Sequence, residues 1–189
     1  MGGPGFILKE MVMNSEIITL GGGCFWCLEA VFKEVRGVLS VESGYSNGHV
    51  LQPTYEQVCS GATGHVEVVR VEFDPAQIKL GEILGIFFAI HDPTTLNRQG
   101  NDAGTQYRSG IYYSTQEQKI TAIELMEALE KQEIWTASIV TEIQPLTHYF
   151  AAEDYHQDYY ENHPDQGYCA FVVGPKVGKF RQKFKDYLK

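Results

Sequence analysis

The stretch EIITLGGGCFWCLEAVFKEVRGVLSVES, residues 16–43, decides the fold. Glu16 to Leu20 is a short β-rich run, and Gly21, Gly22 and Gly23 supply the tight turn a strand needs before a helix. Leu28, Val31, Phe32 and Val35 then recur at i, i+3, i+4 and i+7, which is one helical face. Lys33 and Arg36 fall in the last turn, and Gly37 sits where a C-cap belongs. Val38 to Ser43 reads as a second strand, closing a strand-turn-helix-strand unit.

Residues 44–64 are rich in Gly, Ser, Asn and Thr without either period and predict a loop. His65 to Phe73 predicts a strand in which Val69, Val71 and Phe73 alternate with Arg70 and Glu72. Leu80, Ile83, Leu84, Phe87 and Phe88 mark a second amphipathic helix that ends near His91, because the residue before Pro93 is pushed out of helical geometry. An aperiodic loop is expected from Asp92 to about Arg108, and loops of that length in a compact domain usually carry function. Gly110 to Tyr113 predicts a strand, and Ser114-Thr115-Gln116-Glu117 has capping-box spacing ahead of a helix through about Lys131. Ser138 to Ile143 predicts a strand, Tyr149 to Asn162 a short helix or ordered loop, and Val177 to Leu188 a helix. The expected class is α+β: a single two-layer α/β-plait-like domain over residues 15–189, with a mixed sheet of about four to six strands covered by helices. Met1 to Asn14 is expected to be a disordered or artificially added lead.

Of the 189 residues, 43% are hydrophobic and 21% charged, which suits a folded globular protein with a real core. Fifteen Lys+Arg against 24 Asp+Glu give a formal charge of −9, which repels phosphate backbones and argues against nucleic acid as the main partner. One basic patch stands out: Lys176 to Lys189 holds six of the fifteen cations, and reads as a solvated face. No apolar run reaches the ~18 residues of a membrane span. Met1 to Asn14 lacks a secretory pattern, so the four cysteines predict a reducing, cytoplasmic setting. A monomer is expected.

Gly23-Cys24-Phe25-Trp26-Cys27 is the strongest chemical signal, because it puts a thiol at the start of a helix. Unpaired N–H groups and the helix dipole are expected to lower that thiol from ~8.5 toward neutrality and so to favour the nucleophilic thiolate. Cys27 lies one turn on, a spacing shared by redox dithiols and metal knuckles. Zinc needs about four ligands, and only His156 and His163 offer themselves, so no metal is expected. Cys59, in a loop approaching a strand, reads as a buried small hydrophobe. A thioredoxin-type dithiol-disulfide oxidoreductase and a zinc-binding interaction module remain the alternatives at this point.

Five segments then add up. Gly23-Cys24-Phe25-Trp26, Gly44-Tyr45-Ser46-Asn47-Gly48, Gly64-His65-Val66-Glu67, His91-Asp92-Pro93-Thr94-Thr95, and Gln99-Gly100-Asn101-Asp102 through Gln106-Tyr107-Arg108-Ser109 together resemble the A-type peptide methionine sulfoxide reductases, from about Ile17 to Arg181. Tyr155-His156-Gln157-Asp158-Tyr159 and Tyr168-Cys169 look like the family too. The resemblance implies reduction of the S epimer of methionine sulfoxide, free or in proteins, with thioredoxin as external reductant and no cofactor. It implies that Cys24 attacks sulfur and Glu67 donates the proton, which requires a carboxyl kept neutral by burial. Tyr45 and Tyr107 would donate hydrogen bonds to the sulfoxide oxygen. Phe25 and Trp26 would form an apolar wall for the methyl group, Asp102 would orient polar groups, and His156 would line the rim. The sulfenic acid left on Cys24 needs a second thiol. Cys27 stands where the commonest family pattern has Gly; Cys169 matches a resolving position, and Cys27 is the alternative.

Overall fold

A computed structural model describes residues 14–189. The expected lead therefore lies outside the described residues, apart from Asn14. Among the described residues eight strands form two sheets: β1 (Glu16–Gly21), β2 (Val38–Ser46), β3 (Val66–Phe73), β6 (Gly110–Tyr113), β7 (Glu142–Pro145) and β8 (Phe150–Ala151) make a six-stranded sheet in the order β7-β6-β1-β3-β2-β8. The other sheet is a two-residue hairpin, β4 (Arg98–Gln99) and β5 (Asp102–Ala103). All pairs in the large sheet are antiparallel except β6 with β7, so the sheet is mixed and the class is α+β.

Alternation along β3 sets the two faces. Val69, Val71 and Phe73 join the main core with Ile18 and Leu20, whereas Val66 and Val68 join a small second core with Tyr112. Glu67 shares parity with the first set and thus points toward the helices. Its register partner on β2 is Tyr45, which places the two side chains next to each other on the helix-covered face.

α1 (Phe25–Phe32) packs against β2 and β3. It stops a turn before the periodicity does: Val35 stays fully buried, but outside the helix, bridged to Leu188. Gly37 makes the following turn at φ 93°, where a Cβ would also meet Ile78 at 2.8 Å. α3 (Leu80–Ile90) and β6 match their predicted bounds closely.

Other expectations need correction. β2 runs three residues further than expected, to Ser46, because β3 and β8 both pair with that extension. The predicted loop 44–64 contains α2 (Tyr55–Cys59), capped reciprocally by Thr54 and Gln57. The cap of α4 (Gln116–Lys131) is Thr115 bonding the Gln118 amide, one residue later than the predicted box. β7 begins at Glu142 and not at Ser138, since the Val140 amide bonds to the Pro93 carbonyl outside the sheet. The Tyr149–Asn162 segment divides into β8, a 3-10 turn and the single-turn α5 (Tyr159–Asn162). The last helix, α6 (Gly174–Lys183), starts earlier than Val177 and is preceded by a π-helical turn, Cys169–Val173. Pro175 is tolerated in its first turn, where a missing N–H costs little.

Candidate active site

Cys24 is the N-cap residue of α1 and is part-exposed. Gly23 before it adopts φ 89°, a conformation that suits glycine, and its amide bonds to the Tyr107 carbonyl at 3.2 Å. This bond ties the thiol's turn to the loop that carries Tyr107. The first amides of the helix are divided between two groups. Phe25 N–H donates to Glu67 Oε1 at 3.2 Å, and Trp26 N–H faces the Cys24 sulfur.

The predicted thiolate is corrected here. Burial above all, then the neighbouring Glu67, Cys27 and Asp102, hold the Cys24 thiol well above its ordinary value, and the Trp26 amide opposes them only in part. The helix dipole loses because most of the sulfur's surroundings are protein and include other potential anions. Glu67 is also displaced, to about 8, chiefly by burial, so it is neutral at pH 7. Its Oε2 is buried and has no hydrogen-bond partner among the described residues. A neutral Glu67 no longer repels a developing thiolate.

The aromatic residues surround this pair. Phe25 is fully buried, with the Tyr45, Tyr55 and His156 rings at 5.7, 6.4 and 5.1 Å. Trp26 is part-exposed; it stacks on Tyr159 at 3.8 Å and 6°, and meets the Tyr168 edge. Its indole N–H donates to His156 Nδ1 at 3.1 Å, which makes His156 a neutral ring with the proton on Nε2. His156 is buried, not at the rim as expected, and acts behind Trp26.

Tyr45 also departs from expectation. It is fully buried, and its hydroxyl donates to Glu153 Oε1 at 2.8 Å, while Tyr55 N–H donates to Glu153 Oε2 at 3.0 Å. Its proton is thus committed. The Tyr107 hydroxyl, near Glu67, Asp102 and Cys24, has no hydrogen-bond partner among the described residues. Asp102 accepts the Tyr168 hydroxyl.

Cys27 and Cys169 are both buried. Cys27 lies close enough to raise the Cys24 thiol, and Cys169 close enough to raise Cys27. Burial pushes Cys27 up to about 11, against the nearby Lys176 and the Tyr168 hydroxyl. Cys59 is corrected: it is exposed, on α2, close to the Tyr55 hydroxyl. No group of three or more His, Cys, Asp or Glu side chains suited to a metal ion occurs among the described residues.

Sequence reasoning missed Glu153 and Tyr55. Glu153 carried no signal, since its partners lie far away in sequence. Tyr55 sits inside the Thr54-x-x-Gln57 box, directly after the cap, and that box marked a helix start in the predicted loop.

Known proteins fit this geometry. A model of the family described as peptide methionine sulfoxide reductase matches residues 16–188. The peptide methionine sulfoxide reductase MsrA of Polynucleobacter asymbioticus is 55% identical over 182 residues, covering 96% of each chain. The solved structure of Mxr1 from Saccharomyces cerevisiae in reduced form superposes with a TM-score of 0.78 at 34% identity, covering 83% of this chain and 90% of Mxr1. Mxr1 in complex with Trx2 superposes with a TM-score of 0.56 at 25% identity, covering 78% of this chain and 86% of Mxr1. With a match that spans nearly all the described residues, the chain belongs to the peptide methionine sulfoxide reductase family.

Proposed function

We propose that residues 15–189 act as one catalytic domain that reduces methionine-S-sulfoxide, free or in proteins, through the Cys24–Glu67–Tyr107 constellation. The observation that carries this division of labour is the buried, neutral Glu67 carboxyl with one oxygen unpartnered beside a thiol at a helix start. The sulfoxide methyl group lies against Trp26, whose plane is fixed by Tyr159 and His156. Tyr107 donates a hydrogen bond to the sulfoxide oxygen, and Tyr45 braces the pocket through Glu153. Asp102 and Tyr168 form a polar pair at the edge of the site.

As the Cys24 sulfur attacks the sulfoxide sulfur, Glu67 protonates the oxygen. The oxygen, now a hydroxyl, passes to Cys24 as its Sγ–O bond forms and the substrate S–O bond breaks, the proton that left the thiol replaces the one Glu67 gave up, and the products are a Cys24 sulfenic acid and methionine. The sulfur of the substrate is reduced by two electrons and that of Cys24 is oxidised by two. A second thiol closes a disulfide and releases water. We assign this step to Cys169, with Cys27 as the alternative; thioredoxin reduces the disulfide, in keeping with the Mxr1–Trx2 complex. No bound cofactor takes part. A monomer in the cytoplasm suits this chemistry, and no described helix is long and apolar enough to cross a membrane.

Cys24→Ser is expected to abolish turnover of methionine-S-sulfoxide, and sustained multiple turnover in that variant would reject the assignment. Cys169→Ser is expected to retain one stoichiometric turnover but to stop recycling by thioredoxin. Peptide mapping of the disulfide after one turnover reads the partner directly: Cys24 joined to Cys27 in the wild type would transfer the role to Cys27.

A further inference from the structure

The basic C-terminal patch has no part in the chemistry above, yet it borders the reacting sulfur. A cavity of about 640 Å³ reaches Cys24 between the end of α3, the β4–β5 hairpin and α6. Lys176, Lys179 and Lys183 line it. They stand at i, i+3 and i+7, one face of a helix, and span about 10 Å along its axis. None of the three forms an ion pair among the described residues. Arg181 points elsewhere and pairs with Glu34.

The two carboxylates in the lining are already engaged. Asp102 accepts the Tyr168 hydroxyl, and Asp92 accepts the amide and hydroxyl of Thr94. His91, also in the lining, is buried and neutral. The two carboxylates keep their charge, but three lysines outnumber them, and all three are unpaired among the described residues, so the groove is locally cationic in a chain of net charge −9. Its floor includes Ile90, Trp135, Val172 and Phe180, which suits a peptide with apolar as well as charged side chains.

We propose that this groove binds the polypeptide that flanks the methionine sulfoxide, and that Lys176, Lys179 and Lys183 select substrates with Asp or Glu within about three residues of it. A span of about 10 Å equals three extended residues, so the lysines match side chains on one flank of the substrate. The proposal rests on the sulfoxide-reductase reading and names its preferred substrate class. The protein reductant is the less apt occupant, because Cys24 alone of the disulfide's two sulfurs lines the groove, while its partner, Cys169 or Cys27, lies outside the lining.

The test compares kcat/KM of the full chain on three substrates: free methionine-S-sulfoxide, a peptide with the sulfoxide between Glu and Asp residues, and the same peptide with Ser in their place. The wild type is expected to favour the acidic peptide about tenfold, through KM, at low salt, and to lose the preference near 0.5 M salt as exposed charges are screened. The triple substitution Lys176→Gln, Lys179→Gln, Lys183→Gln is expected to bring the two peptides within about twofold while free methionine-S-sulfoxide turns over as before.

Equal kcat/KM for the two peptides in the wild type would overturn the proposal without needing any variant. So would a preference that survives the triple substitution, or a triple variant whose only defect is a raised KM for thioredoxin. Loss of free-sulfoxide turnover in the triple variant would overturn it too, by moving the lysines to the reacting centre. Wild-type protein inactive on free methionine-S-sulfoxide would instead break the underlying activity reading.

Discussion

Two buried carboxyls, Glu67 on β3 and Glu29 in the middle of α1, differ in a way that burial does not reveal. Their exposures are 1% and 2%, and burial raises them to about 8 and about 7. Their surroundings separate them. Glu29 is enclosed by structure: Ser43 Oγ donates to it at 3.3 Å, the Tyr159 amide supports it, and Lys33 lies one turn on and pairs with Asp158 and Glu161. Glu67 has one oxygen on the Phe25 amide and the other without a partner, next to the thiol. A raised carboxyl therefore marks a proton donor only where an oxygen is left free for the substrate.

Glu67→Gln separates the two most strongly. Loss of the acid is expected to lower the single-turnover rate of sulfoxide reduction about 10²- to 10⁴-fold. In the wild type that rate should fall as pH rises through about 8, since the donor is lost, and the Gln variant should lack this limb. A variant with an unchanged rate and pH profile would remove Glu67 from the chemistry and leave it equivalent to Glu29.

The tyrosines bring the same contrast down to single protons. Tyr107 has a free hydroxyl, so Tyr107→Phe is expected to cost on the order of 10²-fold in kcat, the scale of one lost donor to a developing oxyanion. The Tyr45 proton already goes to Glu153, so Tyr45→Phe should cost less than about fivefold, through loosened packing around Phe25. Equal losses in single-turnover assays would show that Tyr45 releases Glu153 when substrate binds.

Much of this was legible in the chain. Periodicity placed β1, β3, α3 and β6, because each has a regular apolar face with a clear stop such as Asp74-Pro75 or Asp92-Pro93. It failed for β7 and for the Tyr149–Asn162 region, where partners far away in sequence decide the structure. The candidate nucleophile was visible in Gly23-Cys24-Phe25-Trp26, but the surroundings that set its ionisation were not. A helix start predicts a lowered thiol, whereas burial, and after it the carboxyl of Glu67 brought in by β3, reverse the sign. His156 was misplaced for a similar reason: only the fold brings Trp26 and Tyr159 to it and buries it.

The smallest effect on activity, and the sharpest test of the comparison, comes from Glu29→Gln. Its carboxyl touches no reacting group, so turnover should stay within about threefold of wild type. Its influence belongs to stability. A carboxyl raised in the folded state binds its proton more tightly there than in the unfolded chain, so its contribution is complete below pH 4.5 and is lost as pH rises through about 7. Gln mimics the neutral form and cannot ionise. Thermal melts should therefore coincide at pH 4, diverge as pH rises from about 4.5 to about 7, and level off above that with the Gln variant the more stable by roughly 2–3 kcal/mol at pH 8. If the variant is instead the less stable at pH 8, the ionised carboxylate with Lys33, Ser43 and the Tyr159 amide must be a net asset. Glu29 would then be a clamp that holds Tyr159 against Trp26 in its charged form, and the two carboxyls would differ in sign as well as in role.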